Sequence, residues 1–216
     1  MAVLFGPGQP LDTARYFDAP VYRAGRVGLP LVAWLVAAGD PGRAILAYQV
    51  LSWLLGALGV WVVARALEGD GDSAAWAALL LTSAGLVSSF LSSMPDPAAI
   101  GLGVLALHLH RRGRVASAVA ALVAATLVRE TMILCAAAIA LEDLRGRRWR
   151  PAALAACAPA GALLAWRWYV LSRLGALGLD VPGGNLALPL TWVPSKLAQP
   201  IDVPEAIALA ALALAF

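Results

Sequence analysis

Lysine is nearly absent from this chain: of its 16 basic residues, 15 are arginine. Cysteine is scarce too, and Cys135 and Cys157 stand in separate apolar stretches with no Cys-x-x-Cys spacing and no Cys/His cluster. That excludes a disulfide framework and a thiolate metal site. Charged residues make up only 13% of the 216 positions against 61% hydrophobic ones, where a soluble domain carries about 25% charge. The mean hydropathy of +0.79 points the same way, to an integral membrane protein. The period-2 alternation of strands is also missing, so the expected class is all-α: a polytopic transmembrane helix bundle with short broken helices and juxtamembrane helices. The arginines gather in short loops and are read as topology signals, not as a nucleic-acid surface.

Charged or Pro/Gly-rich punctuation divides the apolar stretches. Residues 44–67, 74–93 and 151–173 are long enough for full spans, whereas 27–38, 98–110, 115–128 and 131–141 are short. Residues 1–26 contain no continuous apolar core, so no signal peptide is expected. Residues 204–216 form an apolar run of 13 where a span needs about 20. The sequence therefore reads as a piece of a longer protein. The expected organisation is one transmembrane domain over 1–216: an external juxtamembrane segment 1–43, a helix bundle 44–173, an external loop 174–203 and the start of a further helix at 204–216.

The densest basic loops, 111–114 and 145–150, belong in the cytoplasm by the positive-inside rule. The residues between them must then rise and return, with Arg129-Glu130-Thr131 near the turn. Each arm of about 14 residues reaches only about 20 Å, short of the ~30 Å hydrocarbon core. An ionisable residue at that depth costs about 2.5–3.5 kcal/mol on insertion scales and marks function by default. The same topology brings Asp96, Arg129, Glu130, Arg23, Arg26 and the 174–203 loop to the outer face, with Trp166, Trp168 and Tyr169 in an outer aromatic belt.

Each candidate also has a plain structural role. Asp96 sits at a helix start and serves as a cap or as a carboxylate for a proton or sugar hydroxyl. Arg129 offers a planar fork suited to phosphate, with Glu130 as its holder, or the two form a structural pair. Arg23 and Arg26 lie three apart and serve as interfacial anchors or as a diphosphate clamp. His108 and His110 point to different helix faces, which argues against shared metal ligation.

The series Tyr16-Phe17-Asp18-Ala19-Pro20 through Tyr22-Arg23-Ala24-Gly25-Arg26 to Leu29-Pro30-Leu31, with Met94-Pro95-Asp96-Pro97 and Val128-Arg129-Glu130-Thr131, resembles bacterial multi-spanning glycosyltransferases of the glycosyltransferase C superfamily. Their relatives include protein mannosyltransferases and aminoarabinose transferases. The resemblance covers roughly residues 9–173 and implies a plasma-membrane (inner-membrane) enzyme moving a sugar from a polyprenyl-phosphate donor at the outer face. It implies Asp18 or Asp96 as the carboxylate and Arg129, with Arg23, Arg26 and Glu130, at the lipid phosphate. No organic cofactor or metal ligand set is expected, and a need for a divalent cation stays open. The chain departs from the family pattern at Gly6-Pro7-Gly8-Gln9, where Pro7 occupies an acidic slot, and no helix precedes it. Two other readings stay beside this one: a transporter or lipid-handling protein using Arg129 and Glu130 as a coupling pair, and a non-catalytic membrane subunit or inactive fragment.

Overall fold

A computed structural model describes residues 26–79, 86–87, 89 and 94–174. Six α-helices occur among them: α1 (Gly28–Val36), α2 (Pro41–Gly69), α3 (Asp96–Arg111), α4 (Val115–Val128), α5 (Ile133–Arg145) and α6 (Trp149–Leu174). Short 3-10 turns occupy Ala74–Ala78 and Glu130–Met132.

The longest helix, α2, begins where its sequence directs. Asp40 is extended and its Oδ1 accepts the Arg43 N–H at 2.7 Å, while Pro41 fills the first helical position with a preset φ. Its 29 residues reach about 44 Å at 1.5 Å per residue. Among the described residues this is the one helix both long and apolar enough to cross a membrane. Its side chains are sorted inside out. The buried positions Ser52, Gly56, Gly59 and Val62 are small or medium-sized, whereas Ile45, Leu46, Trp53, Leu54 and Trp61 are exposed. Water would penalise that arrangement, and lipid would not.

The small stripe lets α3 come close. A Cβ on Gly59 would lie 2.7 Å from Gly101 Cα, and one on Gly101 would lie 1.9 Å from the Leu55 carbonyl oxygen. Glycine at both positions is therefore what permits this backbone contact. The Ser52 hydroxyl donates to the Met94 carbonyl at 3.2 Å, so residue numbers rise together along the two helices. They run parallel.

α4 packs beside α3 and returns in the opposite sense. It stops because Arg129 turns extended (φ −150°, ψ 120°). The chain passes through the 3-10 turn and descends again as α5, which packs on α6; α6 in turn lies against α4. Two apolar clusters follow. Ala106, Leu122, Ala136, Ile139 and Ala155 join α3, α4, α5 and α6, and Leu29, Ala98, Ala99 and Val128 join α1, α3 and α4. Alanine supplies most of the first cluster and half of the second, so helices approach through small side chains.

Two expected boundaries shift. The helix expected over 74–93 opens with a 3-10 turn, because the Ser73 hydroxyl caps the Ala75 N–H at 3.3 Å and such turns are common at helix starts. The helix expected over 131–141 starts at Ile133 and continues through Glu142, Asp143 and Arg145. Its extra turn is held by Asp143, whose side chain is buried rather than solvated.

Candidate functional site

Two ion pairs close the end of the bundle where α3 begins and α4 ends. Arg129, placed on the extended residue after α4, pairs with Asp96 in the first turn of α3. Asp96 accepts a second bond from the Ser89 hydroxyl at 2.9 Å. Next to it, Arg26 reaches Glu130 with two nitrogens, Nε to Oε2 at 3.4 Å and Nη2 to Oε1 at 3.3 Å. Both partners of that pair keep about a fifth of their side chains exposed, 22% and 21%. The pairs are thus half-buried, where a charge needs its partner but still meets solvent or ligand.

The backbone explains why neighbouring residues make different pairs. Extended geometry at Arg129 and a 3-10 turn from Glu130 send the two side chains to separate partners, one on α3 and one ahead of α1. Gly28 supports the second. A Cβ there would lie 2.9 Å from the Leu127 carbonyl carbon and the Val128 nitrogen, so glycine lets α1 reach the end of α4 and carry Arg26 to Glu130.

Glu130 lies in the connection between α4 and α5. Burial by itself pushes its carboxyl up, but its own backbone N–H, Arg26 and the positive charge of Arg167 outweigh that and hold it below the usual carboxylate range. Arg167, exposed on α6, therefore belongs to the same electrostatic neighbourhood. It lies between Trp166 and Tyr169, whose rings are tilted at 33° with centroids 5.3 Å apart.

The structure brings together four of the six residues singled out from the sequence: Arg26, Asp96, Arg129 and Glu130. Asp18 and Arg23 lie outside the described residues. Ser89 and Arg167 escaped sequence reasoning. Ser89 hides in an apolar run, and the aromatic residues around Arg167 drew attention to an interfacial belt instead. Arg26 and Arg129 are each matched by a carboxylate, and Arg167 adds a positive charge that acts on Glu130 from α6. Such a set can hold an anion while keeping each arginine oriented.

A second polar set was also missed. At the other end of α3, Asp143 is fully buried and meets His110 Nε2 at 3.3 Å and Arg148 Nη2 at 2.7 Å. In sequence Asp143 looks like a loop charge after an apolar run, and only its burial between α3, α5 and α6 distinguishes it.

Comparison of the chain with protein-family models, with curated proteins and with solved structures finds no match.

Proposed function

We propose that this chain is a multi-pass membrane protein of the glycosyltransferase kind, which holds the phosphate of a polyprenyl-phosphate sugar at the Arg26–Arg129–Arg167 end of its bundle. One observation carries the reading: Arg129 pairs with Asp96 and Arg26 with Glu130 at one end of the bundle, and the positive charge of Arg167 on α6 acts on Glu130 as well. Support for membrane residence comes from α2, with its buried small stripe and exposed Trp and Leu. By the positive-inside rule this end faces outward.

In an inverting transfer the acceptor oxygen attacks the anomeric carbon while a carboxylate takes its proton. The bond from that carbon to the phosphate oxygen breaks, and the lipid phosphate leaves as an anion. Fixed guanidinium groups stabilise the charge that develops there. Asp96 is already engaged by Arg129 and Ser89, so in this reading it serves to position Arg129. Asp18 then takes the base role.

A second reading has support of its own. Because Asp96 and Glu130 each pair with an arginine, the cluster suits a subunit that binds the lipid phosphate without turning it over. The test is release of polyprenyl phosphate from radiolabelled polyprenyl-phosphate hexoses by the full chain in vesicles prepared from its native membrane, which carry the acceptor. Transfer predicts release that falls about 100-fold in Arg129→Gln. Binding without release selects the second reading, and neither binding nor release overturns both.

A further inference from the structure

The end of the bundle opposite the Arg129 cluster is rimmed with arginine, and its backbone shows how the rim is built. α3 and α5 end in the same device. After α3, Arg114 N–H donates to the Leu109 carbonyl at 2.9 Å and Gly113 N–H to that of His110 at 2.8 Å, with Gly113 at φ +73°. After α5, Arg148 N–H donates to the Asp143 carbonyl at 2.8 Å and Arg147 N–H to that of Leu144 at 2.9 Å, with Arg147 at φ +57°. This is the Schellman closure, whose left-handed position is ordinarily glycine. Gly113 obeys the rule. Arg147 breaks it, and an L side chain there meets the following carbonyl.

Buried Asp143 ties the two turns together, through His110 from the α3 end and Arg148 from the α5 end. The result is one surface from two distant loops: Arg111, Arg112 and Arg114 from the first, and Arg147, Arg148 and Arg150 from the second, all exposed. Trp149 stands among them at 68% exposure, as a residue at a lipid headgroup boundary would. Carboxylates at this end are fewer. Asp143 is consumed in the tie, Glu68 pairs with Arg65 at 3.0 Å, and Glu142, Asp70 and Asp72 remain.

We propose that this rim is a binding site for the phosphate of an anionic phospholipid, and that Arg147 is kept in its strained conformation because its guanidinium serves that site. The proposal rests on membrane residence and not on sugar transfer. Charge complementarity selects the occupant: clustered arginines facing a headgroup layer favour anionic over zwitterionic lipid by about fivefold for each arginine engaged.

The test uses the full chain reconstituted in phosphatidylcholine vesicles with trace spin-labelled phosphatidylglycerol or phosphatidylcholine, reading the fraction of each label immobilised on the protein. The expected result is at least fivefold selection of phosphatidylglycerol, reduced in Arg112→Gln/Arg150→Gln and in Arg147→Gly. Arg147→Gly should also raise the thermal midpoint, because glycine relieves the strain; a merely structural Arg147 would not link higher stability to lost selectivity. Equal immobilisation of both labels by the wild type overturns the proposal, as does selectivity unchanged in both variants. Loss of selection on adding excess inorganic phosphate at constant ionic strength would assign the rim to a free anion and overturn the lipid reading. Failure to incorporate into vesicles, with the chain soluble without lipid, would overturn membrane residence as well.

Discussion

Arg129 and Asp96 pair across the α4–α3 boundary, and Ser89 supplies the second bond to the same carboxylate. Each single neutral substitution leaves a half-buried group without its partner. Asp96→Asn and Arg129→Gln should each destabilise the protein by about 1–3 kcal/mol. The double variant should cost less than the sum, with a coupling of about 0.5–3 kcal/mol. Unfolding of all four proteins in one lipid-like environment measures this, and strict additivity would show that the pair contributes nothing.

Gly101 and Gly161 give opposite outcomes for one chemical change. Gly101→Ala would put a methyl 1.9 Å from the Leu55 carbonyl oxygen, a backbone atom that cannot rotate away, whereas Gly161 has open space around it. The first should destabilise by about 1–3 kcal/mol through forced separation of α2 and α3. The second, within α6, should stabilise by about 0.5–1 kcal/mol, as alanine does over glycine in a helix. Thermal midpoints of the two variants decide the matter.

Glu130 makes stability depend on pH in a defined direction. Its folded carboxyl titrates below the usual range, so its stabilising effect is fully present above the ordinary carboxylate pKa. It is lost as pH falls through the lower folded value. Glu130→Gln should flatten this acid limb and leave the neutral region weakened by the lost Arg26 bond. Denaturation midpoints from neutral to acid pH report both effects.

Asp143 provides the clearest stability test at the other end. Asp143→Ala removes the fully buried carboxylate that faces His110 and Arg148. Arg148 keeps 51% of its side chain exposed, so no charge is stranded in the interior, and the loss should be about 1–3 kcal/mol, the scale of lost buried polar contacts. Asp143→Asn, which keeps the shape and an acceptor oxygen, should cost less. Equal effects would mean that the carboxylate charge alone, and not shape or the acceptor oxygen, carries the contribution of Asp143.

Much of the helical layout was legible in the sequence because Pro, Gly and charge clusters punctuate it. Asp40-Pro41, read as part of a loop, instead caps and opens α2 ahead of the apolar stretch expected from residue 44, while the break at Arg129 was visible as charge inside an apolar run. The pairing was not legible. Adjacent positions diverge by about 100° on a helix, so only the extended backbone at Arg129 reveals that Arg129 turns to α3 and Glu130 to Arg26. Burial of Asp143 was hidden for a related reason. A charge after an apolar run reads as solvated unless the third helix that covers it is known.

The central claim, that the Arg26–Arg129–Arg167 end holds a lipid phosphate, is tested most directly by equilibrium binding of polyprenyl phosphate to the full chain in neutral phosphatidylcholine nanodiscs. The Asp96→Asn/Arg129→Gln double variant, which leaves neither partner charged, is the comparison. The account predicts saturable binding by the wild type and at least about tenfold weaker binding by the double variant, the scale of one charge-assisted bond to phosphate. Equal affinity in the two proteins, or no saturable binding by the wild type, would contradict it.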